Sequence, residues 1–349
     1  MALLWFDGFE SYGAAADMNR VTDPTFYCNN TQFSATYKRY GDRGIAHNAW
    51  DHYLDITMAS APSSTTCVVG MAIYFNNAST PSISTPFLHL RDGSGNMHVG
   101  LYADADRNIV VKNNGGTTLG TTSGVTLNAY AWYYIEVKAI IDDSVGQVII
   151  RIDEAVVLTT TADKDTLNGS DAYVQGLRVQ AVFNIPPTLV DDFYFLDGSG
   201  DAPHNDFLGD IRVDISRVDG AGSHTEFTPS AGSNYENVDE EPGPDSDTTY
   251  NDGDTTDDED SYALEDLPAP SGTTIYGVKS QITVRKTDAG ARRCKIITRS
   301  GGSDYLGDEE TLSDSYQTFT TLYEDNPDDS AAWEDADVNG MEVGIKVTA

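Results

Sequence analysis

Positive charge is what this chain has least of: 21 Lys and Arg stand against 55 Asp and Glu, a formal net charge of -34 over 349 residues. Binding DNA or RNA needs basic side chains that displace counterions from phosphates, so no nucleic-acid partner is expected. The same field repels anionic lipid headgroups and favours solubility, divalent cations or a basic patch on a partner. Cysteine is scarce as well. Cys28, Cys67 and Cys294 are too few for a disulfide framework and form no Cys-x-x-Cys pair, so free buried thiols are expected. No apolar run approaches the length of a membrane helix, and membrane insertion is not expected. The opening residues carry no basic segment and only a short apolar run, which reads as no signal peptide and synthesis in the cytoplasm. A Gly-x-Ser-x-Gly elbow, a phosphate loop and a His-Glu-x-x-His pair are all missing.

Sustained helical periodicity is missing too. What is present is alternation of period two, broken by Gly, Asn, Asp, Ser and Thr at strand-and-turn spacing. One hairpin runs from Phe87 to Tyr102 around Asp92-Gly-Ser-Gly-Asn96, with Leu88, Leu90, Met97, Val99 and Leu101 as its apolar face. A second pairs Asn108–Lys112 with Thr118–Gly120, and a third pairs Trp132–Ile141 with Gln147–Asp153. Leu177–Phe183 and Asp192–Leu196 read as two further strands. Many such strands with polar turns describe an all-β sandwich of antiparallel sheets.

The length allows two domains, each with its own core. The first closes at the Asp197-Gly-Ser-Gly-Asp-Ala-Pro203 run, giving 1–203 and 204–349 as the expected division. Beyond it the composition changes. Residues 218–278 contain no Lys or Arg, while 236–266 carry 14 acidic side chains and read as a solvated acidic loop. Strands then return in Ile275–Lys286 and Arg292–Arg299, read as a hairpin turning at Asp288-Ala-Gly290. Seven of the 21 basic residues fall between Lys279 and Arg299. Lys279, Arg285, Lys286, Arg292, Arg293 and Lys295 are therefore candidates for contact with carboxylates, of the acidic loop or of a partner.

Four runs carry a resemblance: Leu4-Trp-Phe-Asp-Gly-Phe-Glu10, Trp132-Tyr-Tyr-Ile-Glu-Val-Lys138, Gly146-Gln-Val-Ile-Ile-Arg-Ile-Asp153 and Val190-Asp-Asp-Phe-Tyr-Phe-Leu-Asp-Gly-Ser-Gly200. In this order they resemble the concanavalin-A-like (laminin-G-like) jelly-roll family. That resemblance implies a jelly roll whose first and last strands pair. The remainder resembles the C-terminal part of tailed-phage virion proteins, through Asn205-Asp-Phe-Leu-Gly-Asp-Ile-Arg-Val213, Asn234-Tyr-Glu-Asn-Val-Asp239, the basic segment and the Ala332–Lys346 run. It implies a second, smaller β-rich domain and a virion setting, with other virion proteins as partners and a homo-oligomeric state.

Glycosidases on such jelly rolls need two carboxylates on one strand face, spaced Glu-x-Asp-x-x-Glu, and that motif is absent. Asp191-Asp192 is the nearest acidic pair, and adjacent strand residues point to opposite faces. The chain is therefore expected not to be an enzyme. Phe87, His89, Arg91, His98 and Tyr102 share the polar face of the first hairpin. They read as a sugar or protein platform or, equally, as packing. Symmetric pairing about the turn places His89 opposite His98, able to share one metal or to stand as an exposed cross-strand pair. Asp104, Asp106 and Asn108 begin like a calcium loop but lack its glycine and closing Glu, so a hairpin turn is the alternative. Asp252–Asp260 reads as loosely cation-binding or simply solvated. Apart from that calcium no cofactor is expected. The expected function is a non-catalytic virion protein, associated with the tail or fibre, binding a host-surface glycan or neighbouring subunits. The alternatives are a capsid decoration protein and, third, a glycan-active hydrolase.

Overall fold

The computed structural model describes residues 2–182 and 184–349; the last position of the expected strand Leu177–Phe183 lies outside them. The chain divides into two compact units, one of residues 1–9 and 24–213, the other of residues 10–23 and 214–349. The first unit thus ends ten residues beyond the 203 boundary read from the sequence. Residues 10–23, which that reading kept in the first domain, belong to the second unit.

Unit 1 is all-β. Its strands are β1 (Leu3–Asp7), β2 (Thr25–Asn29), β3 (Gln32–Ser34), β4 (Gly44–His47), β5 (Tyr53–Thr57), β6 (Thr66–Phe75), β7 (Leu88–Arg91) and β8 (Met97–Ala103). They continue with β9 (Ile109–Asn113), β10 (Thr118–Thr121), β11 (Trp132–Ile140), β12 (Gln147–Ile152), β13 (Ala155–Thr159), β14 (Gly176–Gln180) and β15 (Thr188–Leu196). One sheet runs β13-β12-β11-β6-β15-β4-β3, with β1 also on β15; the other runs β10-β9-β8-β7-β14-β5-β2. All pairings are antiparallel, and the first strand pairs the last as the resemblance implies: Phe6 lies opposite Tyr194.

Alternation builds the core between the sheets. Leu54, Ile56, Leu88, Leu90, Val99, Leu101, Ile109, Val111, Leu177 and Val179 of the seven-stranded sheet are buried, facing inward. β15 breaks the alternation, because every one of its residues is buried. The cause is residues 205–213, which lie along the other face of its sheet. Leu208 N–H donates to the Tyr194 hydroxyl (3.2 Å), Gly209 N–H to Glu136 Oε1 (2.8 Å) and Val213 N–H to Asp192 Oδ1 (2.9 Å). A strand covered on both faces reads as a continuous buried run rather than an alternating one.

Unit 2 holds β16 (Val218–Thr225), β17 (Thr228–Pro229), β18 (Asn251–Asp252), β19 (Glu259–Leu264), β20 (Val278–Val284), β21 (Arg293–Ser300), β22 (Ser303–Leu306), β23 (Glu310–Thr311), β24 (Gln317–Tyr323) and β25 (Glu342–Val347). A sheet of order β16-β19-β25-β21-β22, with β23 also on β21, stands beside the pairs β17-β18 and β20-β24. The expected basic hairpin is not one. β20 pairs with β24 and β21 with β25, and the two strands face each other through a Ser280–Thr298 hydroxyl contact of 2.7 Å. Alternation identified both strands but held no information about their partners. Trp333, Val338 and Met341 form an apolar cluster packed by Leu264, Ile275 and Tyr323. Residues 10–23 join this unit by backbone pairing: Thr22 N–H donates to Thr318 O (3.1 Å) and Thr318 N–H to Arg20 O (2.8 Å).

Candidate functional site

The outward face of the seven-stranded sheet gathers the chemistry of unit 1. Register sets one row straight across it: Tyr27 opposite Asp55, Asp55 opposite Arg178, Arg178 opposite His89, His89 opposite Gly100 and Gly100 opposite Lys112. At about 4.8 Å between strands the row is roughly 24 Å long, the reach of several linked sugar rings. Asp55 is its pivot. Its carboxylate accepts from Arg178 Nε (2.6 Å) and Nη2 (2.7 Å), and from Arg91 Nη1 (2.8 Å) in the next row. The Arg178 guanidinium also lies over the Tyr53 ring, 3.7 Å from its centroid. A fork fixed by a carboxylate and a ring is preorganised, so further bonds to it cost little ordering.

His89 stands beside this cluster with Nε2 buried and without a hydrogen-bond partner among the described residues. Burial, reinforced by the charges of Arg178 and Arg91, pulls its pKa down to about 4, so the ring is neutral at pH 7. Tyr27 is 57% exposed and Trp50, in the turn leading to β5, is 54% exposed. The open part of the face is therefore β2, β5 and β14. Around β8 the face is roofed: a side chain at Gly100 would meet Pro86, Met97 and Tyr102, and His98 is wholly buried.

The residues read from the sequence separate accordingly. His89, Arg91 and Tyr102 lie on this face. Phe87 instead turns into the core, edge-on to Phe75 at 6.4 Å, because it precedes the strand and escapes its alternation. His89 does not face His98. A bulge at Leu90/Arg91 shifts the register, and His98 is held elsewhere, Nδ1 accepting from Asn168 N–H (3.0 Å) and Nε2 bonded to Tyr173 O (3.1 Å). Asp92 sets that register by capping its own turn, accepting from the Ser94 and Asn96 amides. Tyr102 packs under Lys112, whose Nζ is 4.8 Å from the ring centroid. Asp104 likewise caps its own turn, accepting from the Asp106 and Asn108 amides and the Asn108 side chain, while Asp106 points to solvent.

Three of the six basic candidates of unit 2 meet carboxylates of their own unit. Arg285 pairs with Asp247 (2.8 Å) in the acidic segment, Arg292 with Asp288 (2.7 Å) and Arg293 with Glu309 (2.7 Å). Lys286 donates to Gly290 O (2.6 Å), Lys295 lies opposite Lys346 on β25, and Lys279 opposite Leu322 on β24. The acidic segment is not simply a solvated loop. Asp260 is buried and accepts from Asn234 (2.7 Å) and the Tyr262 hydroxyl (2.6 Å).

Two clusters escaped the sequence reading. In unit 2, His224, Glu259 and Asp304 each bring a donor atom within 4.8 Å of the others, a set able to hold a metal ion. The imidazole lies between the carboxylates, Nδ1 3.3 Å from Glu259 and Nε2 2.9 Å from Asp304, and Lys346 and Arg299 already pair with those acids. In unit 1, Asp191 and Asp192 were expected on opposite faces. A bulge at Asp191 with a left-handed Asp192 (φ 48°) turns both toward Arg39. Arg39 N–H donates to Asp191 Oδ2 (2.6 Å), and its guanidinium reaches Asp192 (3.3 Å) and Asp210 (2.6 Å). Burial and the Asp192 charge push Asp191 up to about 8.

The sequence matches no family profile and no curated protein. Solved structures do resemble the chain. The catalytic domain of a glycoside hydrolase family 131 protein from Coprinopsis cinerea is 14% identical with a TM-score of 0.42, over 60% of this chain and 99% of that one. A Trypanosoma rangeli sialidase in complex with the inhibitor DANA is 11% identical with a TM-score of 0.35, over 49% of this chain and 27% of its own. The carbohydrate-binding module CBM66 from Bacillus subtilis is 10% identical with a TM-score of 0.30, over 50% and 98%. At these identities the likeness concerns the fold alone. It does correct one expectation. A glycoside hydrolase catalytic domain and a sialidase stand among these structures, so a missing Glu-x-Asp-x-x-Glu motif does not make the chain a non-enzyme.

Proposed function

We propose that unit 1 is a carbohydrate-recognition module that takes a host-surface glycan on the outward face of the seven-stranded sheet, in a chain that serves in a phage virion. The observation that carries the glycan reading is the row Tyr27–Asp55–Arg178–His89, open at its aromatic end. An exposed ring stacks on the apolar face of a sugar, while a fixed guanidinium fork presents hydrogen-bonding groups to hydroxyls and ring substituents. The virion setting is supported by the sequence resemblance of residues 205–346.

A glycan array with the full chain, followed by calorimetry on the strongest ligand, tests the reading. Tyr27→Ala with Trp50→Ala is expected to weaken binding at least tenfold without lowering the melting temperature, since both rings are exposed. Undiminished binding in the double variant would place the ligand elsewhere. Release of reducing ends from the same ligand, followed over hours, decides whether recognition is coupled to turnover.

A further inference from the structure

We infer that this face selects glycans carrying a carboxylate, a uronic acid or a comparable acidic sugar, over neutral ones; the inference rests on the glycan reading above. Among the outward residues of β2, β5, β14, β7, β8 and β9, Asp55 is the one carboxylate, against Arg91, Arg178 and Lys112. The triad of Asp55 with its two arginines therefore keeps one positive charge in excess, half-buried at the centre of the open face. This is an unusual place for it in a chain of net charge -34.

Asp55 occupies only one side of the fork. Arg178 spends Nε and Nη2 on it and Arg91 spends Nη1, with Arg91 Nε held by Gly95 O (2.9 Å). Arg178 Nη1 and Arg91 Nη2 are not used in these bonds. A planar carboxylate is the group that such N–H pairs grip in bidentate fashion. His89 adds the low-dielectric wall: its neutral ring lines the row without competing charge.

Two electrostatic effects oppose each other here. The overall negative field repels an acidic sugar at long range, but exposed charges beyond about 8 Å are screened at physiological salt. Inside that distance the arginine pair governs. Selectivity should therefore hold at 0.15 M salt, whereas association should be faster when added salt damps the long-range repulsion.

The test compares oligogalacturonate with a neutral galactan of equal length, by calorimetry on the full chain. The acidic ligand is expected to bind at least tenfold more tightly. Asp55→Asn with Arg178→Gln, which removes both charges of the central pair and its bidentate fork, should reduce that preference at least fivefold, lowering the affinity for the acidic ligand more than that for the neutral one. Since Arg91 then has no counterion, Arg91→Gln added to the pair should abolish the preference. Equal affinity for both ligands, lost on Tyr27→Ala, would overturn the acid selectivity and leave the glycan reading standing. Binding of neither ligand, on a protein with an intact melting transition and no hit on the array, would overturn both. Circular dichroism of each variant separates lost selectivity from lost fold.

Discussion

At Arg39 one guanidinium meets Asp192 and Asp210 and lies over the rings of Tyr40 (4.9 Å) and Tyr134 (5.3 Å). Asp192 is buried, so removing its cation strands a charge in a low-dielectric site. Arg39→Met is expected to cost about 3–5 kcal/mol in urea denaturation, as truncating one partner of a buried pair does. Asp210→Asn, at the exposed end, should cost under about 1 kcal/mol. Three groups with large shifts bear on the pH profile. Burial and the neighbouring His52 pull His47 down to about 3, and His89 falls to about 4. Their stabilisation is complete above pH 6.5 and is lost as pH falls toward those values. Asp191 is raised to about 8, so its contribution is complete below 3.8 and is lost as pH rises to 8. Between pH 4 and 6.5 the unfolded chain binds about one more proton from these groups than the native chain; between 6.5 and 8 it binds about one fewer. Their combined stability maximum therefore falls near pH 6.5, declining by about 1.4 kcal/mol per unit on the alkaline side. Urea midpoints from pH 4 to 9 should show this, and Asp191→Asn should flatten the alkaline limb. An unchanged limb would remove Asp191 as its cause. Cys28, Cys67 and Cys294 are each pushed to about 12 by burial. Ellman's reagent should find almost no fast-reacting thiol in the native chain and three after unfolding.

Among the elements, what was legible in sequence was local. The β7–β8, β9–β10 and β11–β12 hairpins follow from alternation broken by turn residues, because both strands and the turn lie within one short window. The candidate site was only half legible for the converse reason. Tyr27, Asp55 and Arg178 come from three distant stretches, and only register makes them neighbours. Sequence supplied His89 and Arg91 but not the carboxylate they surround. Bulges defeated the rest: one at Leu90/Arg91 parts His89 from His98, another gathers Asp191 and Asp192 on Arg39. A pattern of period two carries no trace of an added residue that shifts its phase. Close packing between elements gives a further prediction. Gly70 lies opposite Tyr194, and a Cβ there would collide with that ring, whose hydroxyl donates to buried Glu136 (2.6 Å). Gly70→Ala should lower stability by about 1–3 kcal/mol through forced displacement of the tyrosine. Tyr194→Phe should relieve none of that clash, which a double-mutant cycle would read as near-additivity.

For the whole molecule, the excess of acid over base is met locally rather than by one basic surface: Arg285, Arg292, Arg293, Arg299 and Lys346 each pair with a carboxylate of unit 2. The units also differ in what a truncation removes. A fragment of residues 1–203 lacks the segment that covers Glu136, Tyr194 and Asp192, whereas 1–213 retains it. The longer fragment should melt at least 5 °C higher, a difference of about 2 kcal/mol at this size. Equal melting temperatures would mean that residues 205–213 contribute no net stability. Membership of residues 10–23 in unit 2 has a mechanical consequence. The backbone passes between the units at 9–10, at 23–24 and at 213–214, so a load on one is transmitted to the other by three peptide links in parallel. A nick engineered at 213–214 should leave the two pieces co-eluting in native buffer, held by contacts such as Thr22 with Thr318, and release them only in denaturant. Such a linkage tolerates one broken chain without shedding a domain.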